Sequence, residues 1–284
     1  MNKLVLGTVQ FGVDYGINNP SGKVPLPEVC NILKTAQSEG IEILDTSSGY
    51  GESECVLGKA MKESGTSFKI VSKYPRSDKS VEETLLSSLA NLGSEHLYGY
   101  LVHHFDFFIE KQSLYDEMRR QKDKGKIDKI GFSLYSVKEL EFLIDNKIGF
   151  DILQFPYNIF DRQFEPYMQQ LVDIGVEIHT RSAFLQGLFF KDTDTLPQKI
   201  SPLRPYLEEL HAYCKEKELP IEQLALGYVI ANPCVKGNLI GVDNCEQLIN
   251  NISVSKKQLN RRDIDFIKSI SIKEKELLSP VNWN

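Results

Sequence analysis

Eight short runs rich in Val, Ile, Phe and Tyr are strung along the chain, and longer polar stretches of a different period separate them. The runs are KLVLGTVQF from Lys3, IEILDT from Ile41, FKIVSKY from Phe68, YGYLVHH from Tyr98, KIGFSLY from Lys129, DILQFPYN from Asp151, VEIHTRSAF from Val176 and NLIGVD from Asn238. Most are too apolar for one face to meet water, as expected of strands covered on both sides. Between them, PEVCNILKTAQSEG, VEETLLSSLANLG, SLYDEMRRQKDKGK and VKELEFLIDNKIG repeat their apolar residues at three and four, the period of an amphipathic helix. Ser80 and Ser136 stand where N-caps belong, with acidic residues in the following turn, and Gly40, Gly93 and Gly125 stand at C-caps. Eight strands that each lead into a helix predict a closed parallel (β/α)8 TIM barrel, a single domain over residues 1–284. An open doubly wound sheet is the competitor, but its dinucleotide fingerprint GxGxxG is absent. The tail from Leu259 reads as one more helix and an irregular end.

The length of 284 residues suits one such barrel, and 41% hydrophobic with 25% charged residues supplies one large core. A net charge of -6 disfavours a nucleic-acid partner, which needs a basic surface. The opening MNKLVLGTVQFGVDYG lacks the pattern of a signal peptide, and no stretch is long and apolar enough to span a membrane. Five scattered cysteines with no CxxC pair suit reduced thiols rather than a disulfide frame or a zinc site, so a cytoplasmic protein without a metal is expected.

Barrels of this kind place their chemistry at the C-terminal ends of the strands. Those ends are polar here. Asp45 ends the second run, Lys73 the third, His103 and His104 the fourth and Ser133 the fifth; Gln154 and Asn158 lie at the sixth, and Arg181 and Ser182 close the seventh. Alternation puts Leu101 and His103 on one face, which favours His103 over His104 for the interior. The loop DTSSGYGESE, from Asp45, sets Tyr50 between two glycines, so that a flexible turn presents its ring. Lys73 and Asp45 read either as a structural ion pair or as part of a proton-donating site. In the second reading Tyr50 gives a proton to a carbonyl oxygen, Lys73 lowers the phenol toward neutrality, Asp45 keeps the lysine charged and His103 orients the carbonyl.

Together with LGTVQFG, IVSKY, LVHH, GFSLYS, LQFPYN and GVDNCEQLINN, the loop DTSSGYGESE resembles the aldo-keto reductase superfamily over nearly the whole chain. The resemblance implies an NAD(P)H-dependent carbonyl reductase, a monomer by default, with a catalytic tetrad of Asp45, Tyr50, Lys73 and His103. It also implies cofactor contacts from Gly7, Thr8, Ser133, Gln154, Arg181, Ser182, Gly241, Asp243, Asn244, Gln247 and Asn251, and substrate contacts from Tyr15, His104 and Asn158. Ser133 and Gln154 match the family's grip on the nicotinamide carboxamide, whereas the usual asparagine is replaced by Leu134.

Arg181 takes the place of a tyrosine that many members stack on the nicotinamide. Its plane suits that ring, an anionic substrate or a salt bridge at the rim. The segment Gly241–Gln247 lacks the cations that often hold a 2'-phosphate, which keeps NAD open beside NADP; Lys236 and Lys256 are the remaining candidates. The ending SPVNWN offers little material for a lid, and the first loop, with Tyr15, Asn18 and Lys23, is the most elaborate on this face. An open polar pocket suits a sugar or a nucleotide-linked sugar, and the opening LGTVQFGVDYGI resembles reductases of bacterial surface-sugar pathways. Two rival readings use the same residues: a Schiff-base lyase or aldolase working through Lys73, and a cofactor-binding regulatory protein without turnover.

Overall fold

A computed structural model describes residues 2–16, 19 and 22–283. Asn18 lies outside the described residues. All eight expected strands are present: β1 (Leu4–Gly7), β2 (Ile43–Asp45), β3 (Lys69–Tyr74), β4 (Leu97–Val102), β5 (Ile127–Ser133), β6 (Ile152–Pro156), β7 (Glu177–Arg181) and β8 (Gly237–Gly241). Each pairs in parallel with its neighbour in sequence, and β8 returns to β1 through Leu4↔Asn238 and Gly7↔Gly241, closing the barrel.

The crossover helices fall where the periodicity puts them, at Leu26–Ser38, Val81–Leu92, Ser113–Asp123 and Val137–Asp145. Ser80 and Glu83 close a capping box, the Glu83 carboxylate accepting the Ser80 N–H at 2.9 Å while the Ser80 hydroxyl accepts the Glu83 N–H at 3.2 Å. The first run is shorter than its apolar residues suggest. After Gly7 the Thr8 N–H donates across to Asp45 O at 3.0 Å, so the chain leaves β1 and turns into a helical segment, Val9–Gly12, that buries Phe11. Beyond β8, a helix at Arg261–Ser269 is followed by short 3₁₀ turns. Among the described residues no helix is long and apolar enough to cross a membrane.

Alternation along the strands divides the apolar residues into two groups. Leu44, Ile70, Tyr100, Phe132, Leu153 and Ile178 face the helices in the main core, while Val71, Leu101 and Ile152 pack together inside the barrel. Above this inner layer the strand ends are polar. Below it lies a second polar group, in which the Glu177 carboxylate accepts bonds from Lys129, from the Tyr98 hydroxyl at 2.8 Å and from His179 Nε2 at 2.8 Å. An apolar waist thus separates two polar ends.

Burial alone would raise the Glu177 pKa, but hydrogen bonds from His179, Lys129 and Tyr98 outweigh it and hold the group at about 2. A carboxylate depressed in the folded state contributes stability that is complete above its unfolded pKa of about 4.3 and is lost as pH falls toward the folded value. Glu177→Gln is therefore expected to cost about 2–4 kcal/mol at neutral pH, because Lys129 and His179 lose their shared partner. Urea unfolding from pH 7 down to pH 2 checks this: the wild type should lose stability steeply below pH 4, and the variant less so.

Candidate active site

The site begins with the path of the chain after β2. Tyr50 N–H donates to Ser47 O and Ser53 N–H to Tyr50 O, each at 3.0 Å, so the loop is a pair of tight turns leading into the helix Ser53–Ser64. Ser53 Oγ donates to Thr8 O at 2.8 Å and fixes the start of that helix on the end of β1. Gly51 has a φ of 56°, and a Cβ there would lie 2.7 Å from Gly12 O. At Gly12 a Cβ would lie 1.9 Å from Tyr50 O and 2.5 Å from Ser53 N. Gly51 and Gly12 therefore serve close backbone contact between the Tyr50 loop and the segment after β1, and this contact aims the ring into the barrel mouth.

Lys73 is only 1% exposed. Its ammonium donates to the Asp45 carboxylate and, at 2.9 Å, to Thr46 O, while the second Asp45 oxygen accepts from Gln154 Nε2 at 2.7 Å. Lys73 Nζ stands 5.1 Å from the centre of the Tyr50 ring, and Tyr50 meets His103 edge-on at 5.4 Å between centroids. Ser47 Oγ accepts the Gly49 N–H at 3.1 Å and lies 3.1 Å from His103 Nδ1. A Ser47 hydroxyl proton given to Nδ1 would leave the imidazole hydrogen on Nε2. Burial first, then the positive charge of Lys73, lowers the His103 pKa to about 2, so the ring is neutral at ordinary pH.

One electrostatic expectation is reversed. Lys73 was expected to pull the phenol of Tyr50 toward neutrality, yet burial and then the charge of Asp45 push it well above its ordinary value. The lysine's field is cancelled by the carboxylate it binds, and the ring sits where an anion is poorly solvated. Tyr50 accordingly holds its proton.

These groups open onto a cleft of about 450 Å³ at the C-terminal ends of the strands. Gly7, Thr8, Asp45, Tyr50, His103, Ser133 and Gln154 line its floor, with Arg181 and Ser182 from the end of β7, Gly241, Asp243, Gln247 and Asn251 from the β8 side, and Tyr15 from the first loop. Four expected residues do not line it. Lys73 stands behind Asp45. Asn244 caps the helix Cys245–Ser255 by accepting the Gln247 N–H at 2.9 Å. Asn158 accepts the Phe160 and Asp161 N–H groups at 2.9 Å and donates to Ser182 O at 3.0 Å, so it braces the exit of β7 from below. His104 lies beside His103 at 4.6 Å, turned toward Arg76, whose charge adds to burial in lowering its pKa.

Sequence reasoning passed over Ser47, Gln10, Tyr135, Gln186 and Glu222. Ser47 stands in DTSSGYGESE and Tyr135 in GFSLYS, and for Tyr135 the signal is the alternation of β5 carried past its end. Phe132 and Leu134 face the core, and Ser133 and Tyr135 line the cleft. The tail also takes part, since Pro280 and Val281 line the cleft although SPVNWN was expected to offer little cover.

The wall suits a nicotinamide dinucleotide. Gln10 Oε1, Asp243 Oδ1 and Arg181 Nε are buried without a hydrogen-bond partner and belong to residues that line the cleft. A Cβ at Gly241 would come within 2.5 Å of Gln10 Nε2, so a side chain there would displace the Gln10 amide from the wall at β8. Ser133 and Gln154, paired in register, are the groups that would hold a carboxamide. Among the described lining residues Arg181 is the one cation, and Asp243 and Glu222 are negative. Lys256 follows the far end of the helix Cys245–Ser255 and pairs with Glu39 at 3.0 Å, and Lys236 precedes β8 at the opposite rim.

The loop packing makes Gly12→Ala a sharp test of the geometry. Overlap with Tyr50 O has no flexible side chain to absorb it, so about 2–3 kcal/mol of stability should be lost. Urea unfolding together with the crystal structure of the variant would check the loss and the displacement of the Tyr50 loop.

Comparison with known proteins bears on the whole barrel. The model of the Aldo/keto reductase family matches residues 3–272. The uncharacterized oxidoreductase YrpG of Bacillus subtilis is 25% identical, with 95% of this chain and 92% of that protein covered. The D-arabinose 1-dehydrogenase of Saccharomyces cerevisiae is 24% identical, with 92% and 86% covered. The solved holo form of an aldo-keto reductase from Bacillus halodurans shares the fold with a TM-score of 0.75 at 19% identity, covering 96% of this chain and 94% of its own. With its eight-stranded barrel and a family match across nearly its full length, the chain belongs to the aldo/keto reductase family.

Proposed function

We propose that the protein reduces the carbonyl of an aldehyde, ketone or sugar-type substrate to an alcohol at the expense of NADH, with Tyr50 as general acid. The observation that carries this reading is the meeting of Asp45, Tyr50 and His103 in one cleft, with Lys73 bonded to Asp45 behind it, Tyr50 protonated and His103 neutral. A nicotinamide, when bound, supplies the hydride. Tyr50 gives its proton to the carbonyl oxygen as negative charge develops there, and the Nε2–H of His103 orients that oxygen. Lys73, held in place by Asp45 and Thr46 O, stands 5.1 Å from the centre of the ring, and the positive charge of Arg181 favours the tyrosinate left behind. Gln154 steadies Asp45 as well as facing the proposed carboxamide position. The dehydrogenase named for D-arabinose among the relatives supports a sugar-type substrate.

Geometry favours this reading over a Schiff base at Lys73. That ammonium is buried behind Asp45 and bonded to Asp45 and Thr46 O, so a carbonyl carbon has no open approach to it. A binding role without turnover is separated by Tyr50→Phe. Under the proposal this variant loses several orders of magnitude in turnover while its cofactor affinity stays within about twofold, because only an interaction made in the transition state is removed. Steady-state kinetics beside a cofactor titration decides it, and loss of cofactor binding would refute the role given to Tyr50.

Preference for NADH rests on the β8 side of the cleft, where Asp243 and Glu222 stand without a lysine or arginine among the described lining residues. A 2'-phosphate there would meet negative charge and lack charge-assisted partners. In fluorescence titrations NADH should bind roughly tenfold or more tighter than NADPH. Equal affinities would overturn the preference and leave the reductase reading in place.

A further inference from the structure

Resting on the reductase reading, we infer that Arg181 forms a subsite for an anionic group, carboxylate or phosphate, carried by the carbonyl substrate. Arg181 ends β7 and lines the same cleft as Tyr50 and His103. Its guanidinium lies 4.1 Å from the centre of the Tyr135 ring, and Nη2 donates to Leu134 O at 3.0 Å. The aromatic face and one carbonyl fix the plane without neutralising it. Nε is buried and has no partner, and the group makes no ion pair among the described residues.

Lys73 provides the contrast. Its charge is cancelled by Asp45 in direct contact, whereas Arg181, the cation of the described lining, makes no ion pair and meets the charges of Asp161 and Glu139 only at longer range. A half-buried guanidinium with donor hydrogens to spare recognises planar or tetrahedral oxyanions through charge-assisted hydrogen bonds. Its field also reaches the reacting end of the cleft, since it opposes the rise in the pKa values of Tyr50 and Tyr15 and adds to the lowering of His103. Gln186 donates to the Tyr15 hydroxyl at 2.7 Å, so the loop after β7 and the first loop meet over this part of the cleft. A substrate held there would present its carbonyl to Tyr50 and its anion to Arg181. The cofactor's own pyrophosphate has the same chemistry, and the test separates the two sources.

Calorimetric titration of 4-formylbenzoate and of its methyl ester into protein saturated with NAD⁺ measures recognition without turnover. The carboxylate should bind roughly tenfold or more tighter than the ester. In Arg181→Met that ratio should fall to about one, and in Arg181→Lys, which keeps the charge and loses the plane, it should lie between. Equal affinities in the wild type would overturn the subsite and leave the reductase reading standing. Weakened NAD⁺ binding in Arg181→Met with the ratio unchanged would assign the arginine to the pyrophosphate and likewise overturn the proposal. Discrimination in binding without reduction of either aldehyde by NADH would support the subsite and count against the reductase reading.

Discussion

Asp45 and Lys73 are both almost wholly removed from water, and neither charge could be held at the floor of the barrel without the other. Taking each ion out of water costs several kcal/mol, and the attraction between them repays it only when the remaining hydrogen-bonding capacity is also filled. That condition is met by Gln154, which donates to the second Asp45 oxygen, and by Thr46 O, which accepts from Lys73. Four groups on four parts of the barrel are thereby tied together: the end of β2, the loop after it, β3 and, across the interior, β6. The rest of the site is arranged around this knot. Tyr50 and His103 stand above it, and Arg181 approaches from the far wall.

Electrostatically the cleft is divided by what is paired and what is not. Lys73 carries a charge that its carboxylate cancels locally, which explains why Tyr50 is raised by burial and by Asp45 rather than lowered by the lysine. Arg181 is half-buried, stacked on Tyr135 and without an ion pair among the described residues. The β8 side is mildly negative through Asp243 and Glu222. Under the proposed function these three zones correspond to proton donation, recognition of a substrate anion and selection of a cofactor without a 2'-phosphate.

The barrel's own organisation makes this possible. Val71, Leu101 and Ile152 form an apolar waist that isolates the working end from the network of Glu177, Lys129, Tyr98 and His179 below. The lower network ties Lys129, Tyr98 and His179 to the one carboxylate of Glu177, and the upper one includes buried polar atoms, unpaired, beside the cleft. Gln10 Oε1, Asp243 Oδ1 and Arg181 Nε are all of the upper kind. Unsatisfied groups of this sort cost stability in the empty cleft and become binding energy when a ligand meets them.

Period and composition by themselves determined the eight strands, most of the crossover helices and the polar character of the strand ends, because backbone geometry ties those patterns to local structure through the periods of 2 and 3.6. The row of Asp45, Tyr50, Lys73 and His103 was legible for the same reason: each sits at a strand end or in the loop that follows. Tertiary structure decided the rest. Whether Asn158 met a ligand or braced a turn depended on Ser182, and whether Asn244 faced the cleft depended on its capping of Gln247. The engagement of Ser47 with His103 and the approach of Pro280 and Val281 both depend on residues far apart in the chain. Such contacts form only once the closed barrel brings distant strand ends to one mouth, and no local period encodes them.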